Sequence, residues 1–343
     1  MKNIIIVYNY DLLPKRGTEE DIISLRSVVK TSIDIEMALI ESGFDASRIA
    51  LNSSNLINTI ERIEKSKPCI IFNLCEAFDG DPSMEMNIAA LFELLNIVYT
   101  GSPPAVIGLT NDKWKTKQIL NQNNISVPRG IQINIDNINN LESLICNLQF
   151  PLFIKPLSED GSLGIDRDSV VFNIDTLRKK VEYIFNKYNQ TALIEEYIDG
   201  REFSISIIGN HPPFVLPLSE IDYSKLPVNA PKILCYKSKW MEESDIYKLT
   251  PSLCPANIDS DKEQKINEVA LRTFKVTGCR DYARVDIRMR EDKTPVVLEV
   301  NSNPDISING GMAESAKTAG CSYKDMIKNI LNTALERSHG NKN

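Results

Sequence analysis

Polar side chains that could bind a cation alternate along residues 283–303. Successive side chains of a strand point to opposite faces, so Arg284 and Asp286 would share one face. Glu299 and Asn301 would share a face of the next strand, and pairing of the two strands would bring all four together. Carboxylate and amide oxygens are hard ligands that suit Mg²⁺, which also binds substrate phosphates. The alternative is a solvated sheet face, because such alternation is ordinary in antiparallel sheets.

A lysine followed by a loop of small residues forms a second candidate site. The apolar run 153–156 contains Lys155, and the loop 158–164 contains Gly161 and Ser162. Such a loop can present backbone N–H groups to phosphate oxygens, while the lysine adds a positive charge. The spacing is not that of a P-loop. Gly-Ser loops are also common turns, so both interpretations stay open at this point.

A third apolar run, 193–198, carries acidic and aromatic side chains and is followed by one more carboxylate. The residues are Glu195, Glu196, Tyr197, Ile198 and Glu202. Carboxylates beside an apolar wall could hold a base and a ribose, but acidic residues at the end of an edge strand would give the same pattern. Lys113, Lys237 and Lys239 could reach phosphates as point charges, or could be solvated surface lysines.

The composition excludes several classes of protein. A net charge of −7 over 343 residues supplies no basic stripe for nucleic acid. No apolar run approaches the roughly 20 residues that span a bilayer, so we expect no membrane segment. The two histidines, His211 and His339, lie in settings that do not favour a zinc site or a Ser-His-Asp triad. Seven cysteines without C-x-x-C spacing, and a start without signal-peptide features, predict reduced thiols in a cytoplasmic protein.

Short apolar strands alternate with amphipathic helices along the chain, which predicts an α/β fold. We expect three domains: a small open parallel-sheet domain at 1–112, a central domain at 113–205 and a C-terminal domain at 206–343. Strands are predicted at 4–10, 68–74, 97–100, 151–156, 282–289 and 295–301, and helices at 24–41, 112–121, 175–188 and 261–277. The long polar stretch 219–260 is predicted to be a functional or mobile loop.

Taken in order, these motifs resemble the ATP-grasp superfamily, and most closely D-alanine–D-alanine ligase and its relatives. The resemblance extends from about Ile70 to the last predicted helix. It includes the segments 98–102 (VYTGS), 111–113 (NDK) and 298–301 (LEVN). It implies an ATP-grasp fold of α/β class, α+β in the ATP-binding part, with ATP between the central and C-terminal domains.

The resemblance also implies roles for individual residues. It implies binding of ATP by Lys113, Lys155, Gly161, Ser162, Glu195, Glu196, Tyr197, Ile198 and Glu202. It implies two Mg²⁺ ions, which Mn²⁺ could replace, on Asp286, Glu299 and Asn301. Catalytic roles fall to Arg284 at the tetrahedral oxyanion, Lys239 at the γ-phosphate, with Lys237 as its alternative, and Ser162 in a loop that closes over the phosphates.

The matched family pattern is poorest where amino-acid substrates would bind. The segment 73–78 (NLCEAF) replaces a His-Gly segment, the stretch 8–21 replaces a glycine-rich loop, and Asn303-Pro304-Asp305 follows the metal motif. Trp240 stands where that family usually has tyrosine. Glu76, Asp79 and Asp305 could bind the amino group of a substrate, or could be ordinary loop carboxylates.

The resemblance implies an ATP-dependent carboxylate–amine ligase that forms an amide through an acyl phosphate, and these departures predict a product other than D-alanyl-D-alanine. The alternatives are a D-alanine–D-alanine ligase with a divergent pocket and a non-catalytic ATP-binding regulatory module. We expect small carboxylate and amine substrates, neither nucleic acid nor membrane as a partner, and a chain compatible with a homodimer.

Overall fold

The computed structural model describes residues 2–11, 16 and 22–340, and its strands form three sheets. The first sheet is parallel, with strand order β2-β1-β3. Its apolar central strand is buried on both faces because helices cover the sheet. The elements of this part are β1 (Asn3–Asn9), α1 (Ile22–Glu41), β2 (Asp45–Leu51), α2 (Leu56–Ser66), β3 (Ile70–Leu74), α3 (Glu85–Leu94) and α4 (Pro104–Asn111).

A four-stranded antiparallel sheet of order β4-β7-β5-β6 follows. One long helix, α7, buries Leu177, Val181 and Ile184 against it. Asn173 caps this helix through Thr176 N–H, and Asn189 ends it in the left-handed conformation with φ of 47°. The elements are α5 (Lys113–Gln122), β4 (Gly130–Ile133), α6 (Leu141–Leu144), β5 (Leu152–Pro156), β6 (Val170–Val171), α7 (Ile174–Tyr188) and β7 (Ala192–Glu196).

The third sheet is antiparallel, with strand order β11-β10-β8-β12-β13 and β9 paired to β8. Helix α10 packs on one face of it, while α12 returns to the first sheet and packs against α1. The elements are β8 (Arg201–Ile208), β9 (Phe214–Val215), β10 (Ser219–Ile221), α8 (Tyr236–Trp240), α9 (Asp245–Leu249), β11 (Ser252–Leu253), α10 (Ser260–Thr277), β12 (Tyr282–Met289), β13 (Pro295–Asn301), α11 (Gly311–Thr318) and α12 (Tyr323–Gly340).

A buried carboxylate joins the first and third parts of the chain. Asp281 is fully buried and accepts hydrogen bonds from Gly101 N–H at 3.0 Å and from the Arg337 guanidinium at 2.9 Å. It also accepts one from the Asn210 amide at 2.9 Å. A buried charge that is paired and hydrogen-bonded on several sides fixes the elements that hold it. The Asp281 network therefore connects the first and third parts of the chain.

Most of the predicted elements are confirmed within two residues of their ends, and β12 and β13 are confirmed at both ends. The strand predicted at 97–100 is wrong, because this segment makes only a single bridge between Tyr99 and Ile71. The stretch 219–260 holds four short elements in place of one long loop. The domain division stays a prediction, although β8, which spans the predicted boundary at 205, pairs within the third sheet. Among the described helices, none is long and apolar enough to cross a membrane.

Candidate active site

Strands β12 and β13 carry the polar face that the alternation predicts. Their antiparallel register pairs Arg284 with Asn301 and Asp286 with Glu299. The Asn301 amide donates to Asp286 Oδ2 at 3.1 Å, and Ser204 Oγ on β8 donates to Asp286 Oδ1 at 2.8 Å. The structure thus brings the four side chains onto one surface, and the carboxylate of Asp286 is fixed from two sides.

The guanidinium of Arg284 lies over this surface. Its Nε donates to Asp286 Oδ1 at 2.9 Å and its Nη2 donates to Oδ2 at 3.0 Å. Burial opposes the charge of Arg284, but Asp286 and Glu299 together raise its pKa above the ordinary value. A planar guanidinium held by two bonds is oriented, so its remaining N–H groups can bind an anion at a defined position.

Lys113 lies behind the same carboxylates, at the start of α5, where Asp112 is the helix N-cap. Its buried Nζ contacts Glu299 Oε1 and Asp160 Oδ1, each at 3.0 Å. Burial opposes its charge, but these two carboxylates raise its pKa. Burial also opposes the charge of Glu299, yet Lys113 and Lys155 lower the pKa of Glu299 to about 2. Lys113 therefore influences the site through the charge of Glu299. It does not itself line the cleft between the second and third sheets that is described below.

Lys155 reaches the site from the second sheet, where it meets a buried ion-pair cluster. Its Nζ lies 3.6 Å from Glu195 Oε2, and Lys117 donates to the other oxygen of the same carboxylate. Burial lowers the pKa of Lys117 to about 7, with Lys155 acting in the same direction and Glu195 opposing. Sequence reasoning missed Lys117. Its position four residues after Lys113, on the same face of a lysine-rich helix, was the available signal.

Lys155, Glu195 and the polar face of β12 and β13 line a cleft between the second and third sheets. It encloses about 830 Å³, including space that is open to solvent. Phe153, Ile165, Ile233 and Leu298 form apolar walls suited to a flat ring. Of the residues predicted to bind ATP or Mg²⁺ or to act in catalysis, Lys113 and the alternative Lys237 do not line this cleft. The others do: Lys155, Gly161, Ser162, Glu195, Glu196, Tyr197, Ile198, Glu202, Lys239, Arg284, Asp286, Glu299 and Asn301.

One end of this nucleotide cleft is built around Arg288, which sequence reasoning missed as a site residue. Arg288 is 3% exposed and lies under the rings of Tyr197 and Tyr223, 5.3 and 5.8 Å from their centroids. It donates to Glu202 Oε2 at 2.6 Å and to the Ile198 carbonyl at 2.6 Å. Tyr223 also donates to Glu202 Oε2, at 2.8 Å, which leaves Glu202 Oε1 for a ligand hydroxyl. The signal was its place as the second arginine on the polar face of β12, after Arg284.

The small-residue loop closes the cleft with a strained backbone. Gly161, Ser162 and Gly164 have φ values of 62°, 63° and 73°. Ser162 is the residue of this set for which the left-handed region is costly, and its Oγ donates to the Leu234 carbonyl at 2.9 Å. Trp240 Nε1 donates to the Gly161 carbonyl at 2.8 Å. These two bonds fasten the loop to the segment 234–240.

The alternative lysines of α8 occupy different surroundings. Lys239 lines the nucleotide cleft, and burial together with the neighbouring Arg284 lowers its pKa. Lys237 is exposed and faces a surface groove beside Tyr236. Of the two lysines, Lys239 is therefore the one that lines the nucleotide cleft.

A second cleft adjoins the nucleotide cleft and extends toward the first sheet. It shares Gly161, Lys239, Arg284 and Asn301 with the nucleotide cleft. Its further lining includes three carboxylates, three amides and an indole: Glu76, Glu85, Asp305, Asn9, Asn111, Asn303 and Trp240. Asp79 lies outside it, where its carboxylate accepts from Ser53 N–H at 3.3 Å. Glu85, at the start of α3, was missed by sequence reasoning.

The oxygen atoms of Asp286, Glu299 and Asn301 fit a hard divalent cation. Two carboxylates and an amide line the same cleft wall, and Asn301 uses only its nitrogen toward Asp286, so its oxygen is left for a ligand. Within the described residues no cluster of three or more His, Cys, Asp or Glu side chains is suited to a metal. The set Asp286, Glu299 and Asn301 differs from such a cluster in that its third member is an amide.

Comparisons with known proteins agree with this geometry. The family model described as D-ala D-ala ligase C-terminus matches residues 119–332. An uncharacterized protein of Sinorhizobium fredii, y4sG, is 33% identical over 291 residues, 83% of this chain and 82% of that protein. D-alanine–D-alanine ligase of Carboxydothermus hydrogenoformans is 30% identical over 313 residues, 90% of this chain and 93% of its own. The crystal structure of Bacillus anthracis D-alanine–D-alanine ligase complexed with ATP aligns with a TM-score of 0.73 and 22% identity, covering 99% of this chain and 100% of that one.

The fold and the comparisons define an ATP-grasp enzyme. The chain belongs to the D-alanine–D-alanine ligase family, and it is a ligase that forms a carbon–nitrogen bond. The predicted resemblance, fold class and enzyme class are thereby confirmed. The roles of the individual site residues stay predictions.

Proposed function

We propose that this ligase joins the carboxylate of one small substrate to the amine of an amino acid through an acyl phosphate, with ADP and phosphate as products. The coarser activity, an ATP-dependent carboxylate–amine ligase, follows from the family. The observation that best supports the finer proposal is the connection between the two clefts. Lys239, Arg284 and Asn301 line both, so an acyl group in one cleft and a terminal phosphate in the other would meet at these residues.

The chain's own residues provide positioning and positive charge, which do most of the work in phosphoryl transfer. Lys155 and Lys239 would face the phosphates, and Arg284 would bind the oxyanion of the tetrahedral intermediate. Neither step needs a protein nucleophile. A divalent cation on Asp286, Glu299 and Asn301 would supply charge neutralisation at the phosphate oxygens when bound.

The loop at 158–164 would exclude water from the acyl phosphate, which water would otherwise hydrolyse. Its bonds to Leu234 and Trp240 connect it to the segment that carries Lys239. Closure of the loop and placement of Lys239 are therefore expected to occur together.

Phosphate release from ATP, measured with Mg²⁺ against a matrix of amino acids and small carboxylates, tests the proposal. We expect release only when an acceptable carboxylate and amine are both present, a hydroxamate when hydroxylamine replaces the amine, and an amide by mass spectrometry. Glu299→Gln should abolish the release, while Glu291→Gln in the exposed turn after β12 should not change it. Turnover of D-alanine alone would instead support a D-alanine–D-alanine ligase, and failure of every pair would refute the proposed reaction.

A further inference from the structure

The second cleft contains more carboxylates than cations. Glu76, Glu85 and Asp305 have no salt bridge with any residue that the structure describes. Glu85 accepts from the Asn303 amide at 3.0 Å, and Asp305 accepts from Ser307 N–H at 2.9 Å. Neither contact neutralises a charge. Like charges of neighbouring carboxylates repel, and the charge of buried Glu85 is costly as well, unless these groups are protonated or a ligand provides a cation.

The cations of this cleft do not balance these carboxylates. Arg284 is engaged by Asp286, and Asp160, the fourth acidic residue of the lining, is already paired with Lys113. Lys239 is the remaining cation among the lining residues that the structure describes, and it also faces the nucleotide cleft. Among the described residues, the lining therefore has three carboxylates without a salt bridge and one such cation, Lys239.

The pKa values of Glu76 and Glu85 agree with this excess of acidic groups over cations. Glu76 is accessible from the cleft although protein surrounds its carboxylate, and burial, then the charge of Asp305, raises its pKa to about 8. Lys239 opposes the shift and Asp160 adds to it. Burial, and to a smaller extent Asp160 and Glu76, also raises the pKa of Glu85. The surrounding protein thus favours protonated carboxyl groups, which a cationic ligand would convert to carboxylates.

An unpaired donor in the lining of the cleft indicates the other part of the ligand. Asn111, the last residue of α4, lines the cleft, is 9% exposed, and its Nδ2 has no hydrogen-bond partner among the described residues. A buried amide nitrogen without a partner is unfavourable, so an acceptor oxygen is expected to reach it. The donors Asn111 and Arg284, together with the acidic groups of the same cleft, match a molecule with a carboxylate and ammonium groups.

We propose that the second cleft binds a basic α-amino acid, one with an ammonium group in its side chain as well as the α-ammonium group. This inference rests on the proposed function, because it names the class of amino acid that the ligase takes. A neutral amino acid brings one ammonium group for Glu76, Glu85 and Asp305, whereas a basic one brings two. The absence of a suitable metal-binding cluster of acidic side chains among the described residues favours ammonium groups over a metal ion as the cation.

The test compares lysine with norleucine, which has a side chain of similar shape without the charge. Both enantiomers of each are titrated calorimetrically into the full chain with ADP and Mg²⁺ at pH 8.5. We expect one enantiomer of lysine to bind at least about tenfold more tightly than the matching norleucine, because a desolvated ion pair is lost in the latter. Equal binding of the two, or no binding of lysine, would overturn the inference.

Substitutions of single carboxylates test whether the second cleft is responsible for the preference for lysine. Glu76→Gln should weaken lysine binding about tenfold and leave norleucine binding within about twofold. Asp305→Asn, which keeps an oxygen for Ser307 N–H, is the second variant in case the first does not fold. Asp79→Asn is the matched control, since Asp79 is in the same loop as Glu76 but outside the cleft, and asparagine tolerates its φ of 54°. A loss of lysine binding in Asp79→Asn equal to that in Glu76→Gln would contradict the assignment.

Binding and turnover separate the two proposals. Selective lysine binding without phosphate release from any substrate pair would refute the proposed reaction and leave the binding site intact. Phosphate release and amide formation with neutral amino acids, together with equal binding of lysine and norleucine, would leave the reaction intact and refute the inference.

Discussion

Substitution of Arg288 by methionine should weaken nucleotide binding through a residue that we expect not to touch the phosphates. Arg288 is buried and holds Glu202 with two N–H groups, at 3.1 and 2.6 Å, while a third donates to the Ile198 carbonyl. Methionine fills a similar volume between Tyr197 and Tyr223 but donates no hydrogen bond. Glu202 would keep only its bond from Tyr223, so its carboxylate would no longer be fixed toward a ribose.

Two magnitudes follow from these contacts. Removing one partner of a buried ion pair costs about 3–5 kcal/mol of folding free energy, because the other charge is left unpaired. Loss of a well-placed hydrogen bond between Glu202 and a ribose hydroxyl costs about 1.5–3 kcal/mol, which is about a ten- to hundredfold weaker affinity for ADP. The hydrogen bonds of Arg288 go to Glu202 and to backbone carbonyls at the ribose end of the cleft. Because this end is separate from Arg284 and Lys239, we expect kcat at saturating ATP to change little.

Urea unfolding and calorimetric titration with ADP measure the two effects separately. Arg201→Met is the matched control, because Arg201 also forms a bidentate pair, with Glu220, but its side chain is 43% exposed and lies outside the nucleotide cleft. The control should cost about 1 kcal/mol or less and leave ADP binding unchanged. If Arg288→Met is destabilised as expected but binds ADP like the wild type, Arg288 supports only the fold and Glu202 does not depend on it to bind the nucleotide.

Three further outcomes are expected. Trp240→Phe removes the N–H that holds the Gly161 carbonyl at 2.8 Å, so more ATP should be hydrolysed per amide formed, as measured by the ratio of phosphate to product. Gly164→Ala should slow phosphate release and cost about 1–3 kcal/mol in urea unfolding, because its Cβ would lie 2.6 Å from Pro156 Cγ at a φ of 73°. Lysine affinity should rise about tenfold or more between pH 6.5 and 8.5, as Glu76, whose pKa is raised to about 8, loses its proton.

Each of these outcomes has its own control. Trp114→Phe, a change at the other tryptophan of the chain, is the control for Trp240→Phe, because Trp114 lies on α5 and not in the segment that holds the loop. Gly320→Ala has a φ of 78° with open space around its Cβ, so it reports strain without the clash. Glu76→Gln should make lysine binding nearly independent of pH in this range. A ratio of phosphate to product that is unchanged in Trp240→Phe would contradict the first prediction. Equal effects of Gly164→Ala and Gly320→Ala would contradict the second, and a pH dependence of lysine binding that persists in Glu76→Gln would contradict the third.

The polar face of β12 and β13 could be predicted from sequence because local rules determine it. The period of two in β12 and β13 fixes which side chains share a face, and a short turn at 290–294 makes their antiparallel pairing nearly unavoidable. Arg284, Asp286, Glu299 and Asn301 therefore meet for reasons contained in 18 consecutive residues, 284–301. The resemblance supplied the roles, while the alternation supplied the geometry.

Residues that act through distant partners could not be found in this way. Lys117 becomes part of the site by reaching Glu195, 78 positions further along the chain. Glu85 is an acidic residue at a helix start, where a carboxylate is ordinary, until Asn303 contacts it from 218 positions away. Their alternative as solvated surface charges could not be excluded before the packing of the sheets was known.

The same difference in construction separates the nucleotide cleft from the second cleft. The nucleotide cleft is built from the second and third sheets, whereas the carboxylates of the second cleft come from the first part of the chain and from the segment after β13. Asn303 joins these parts: its amide donates to Glu85 Oε1 at 3.0 Å and to the Cys75 carbonyl at 3.1 Å, and accepts from Tyr282 at 2.7 Å. Substitutions at Glu76 or Glu85 can thus change the charge offered to an amino acid while the strands that hold Asp286 and Glu299 keep their register.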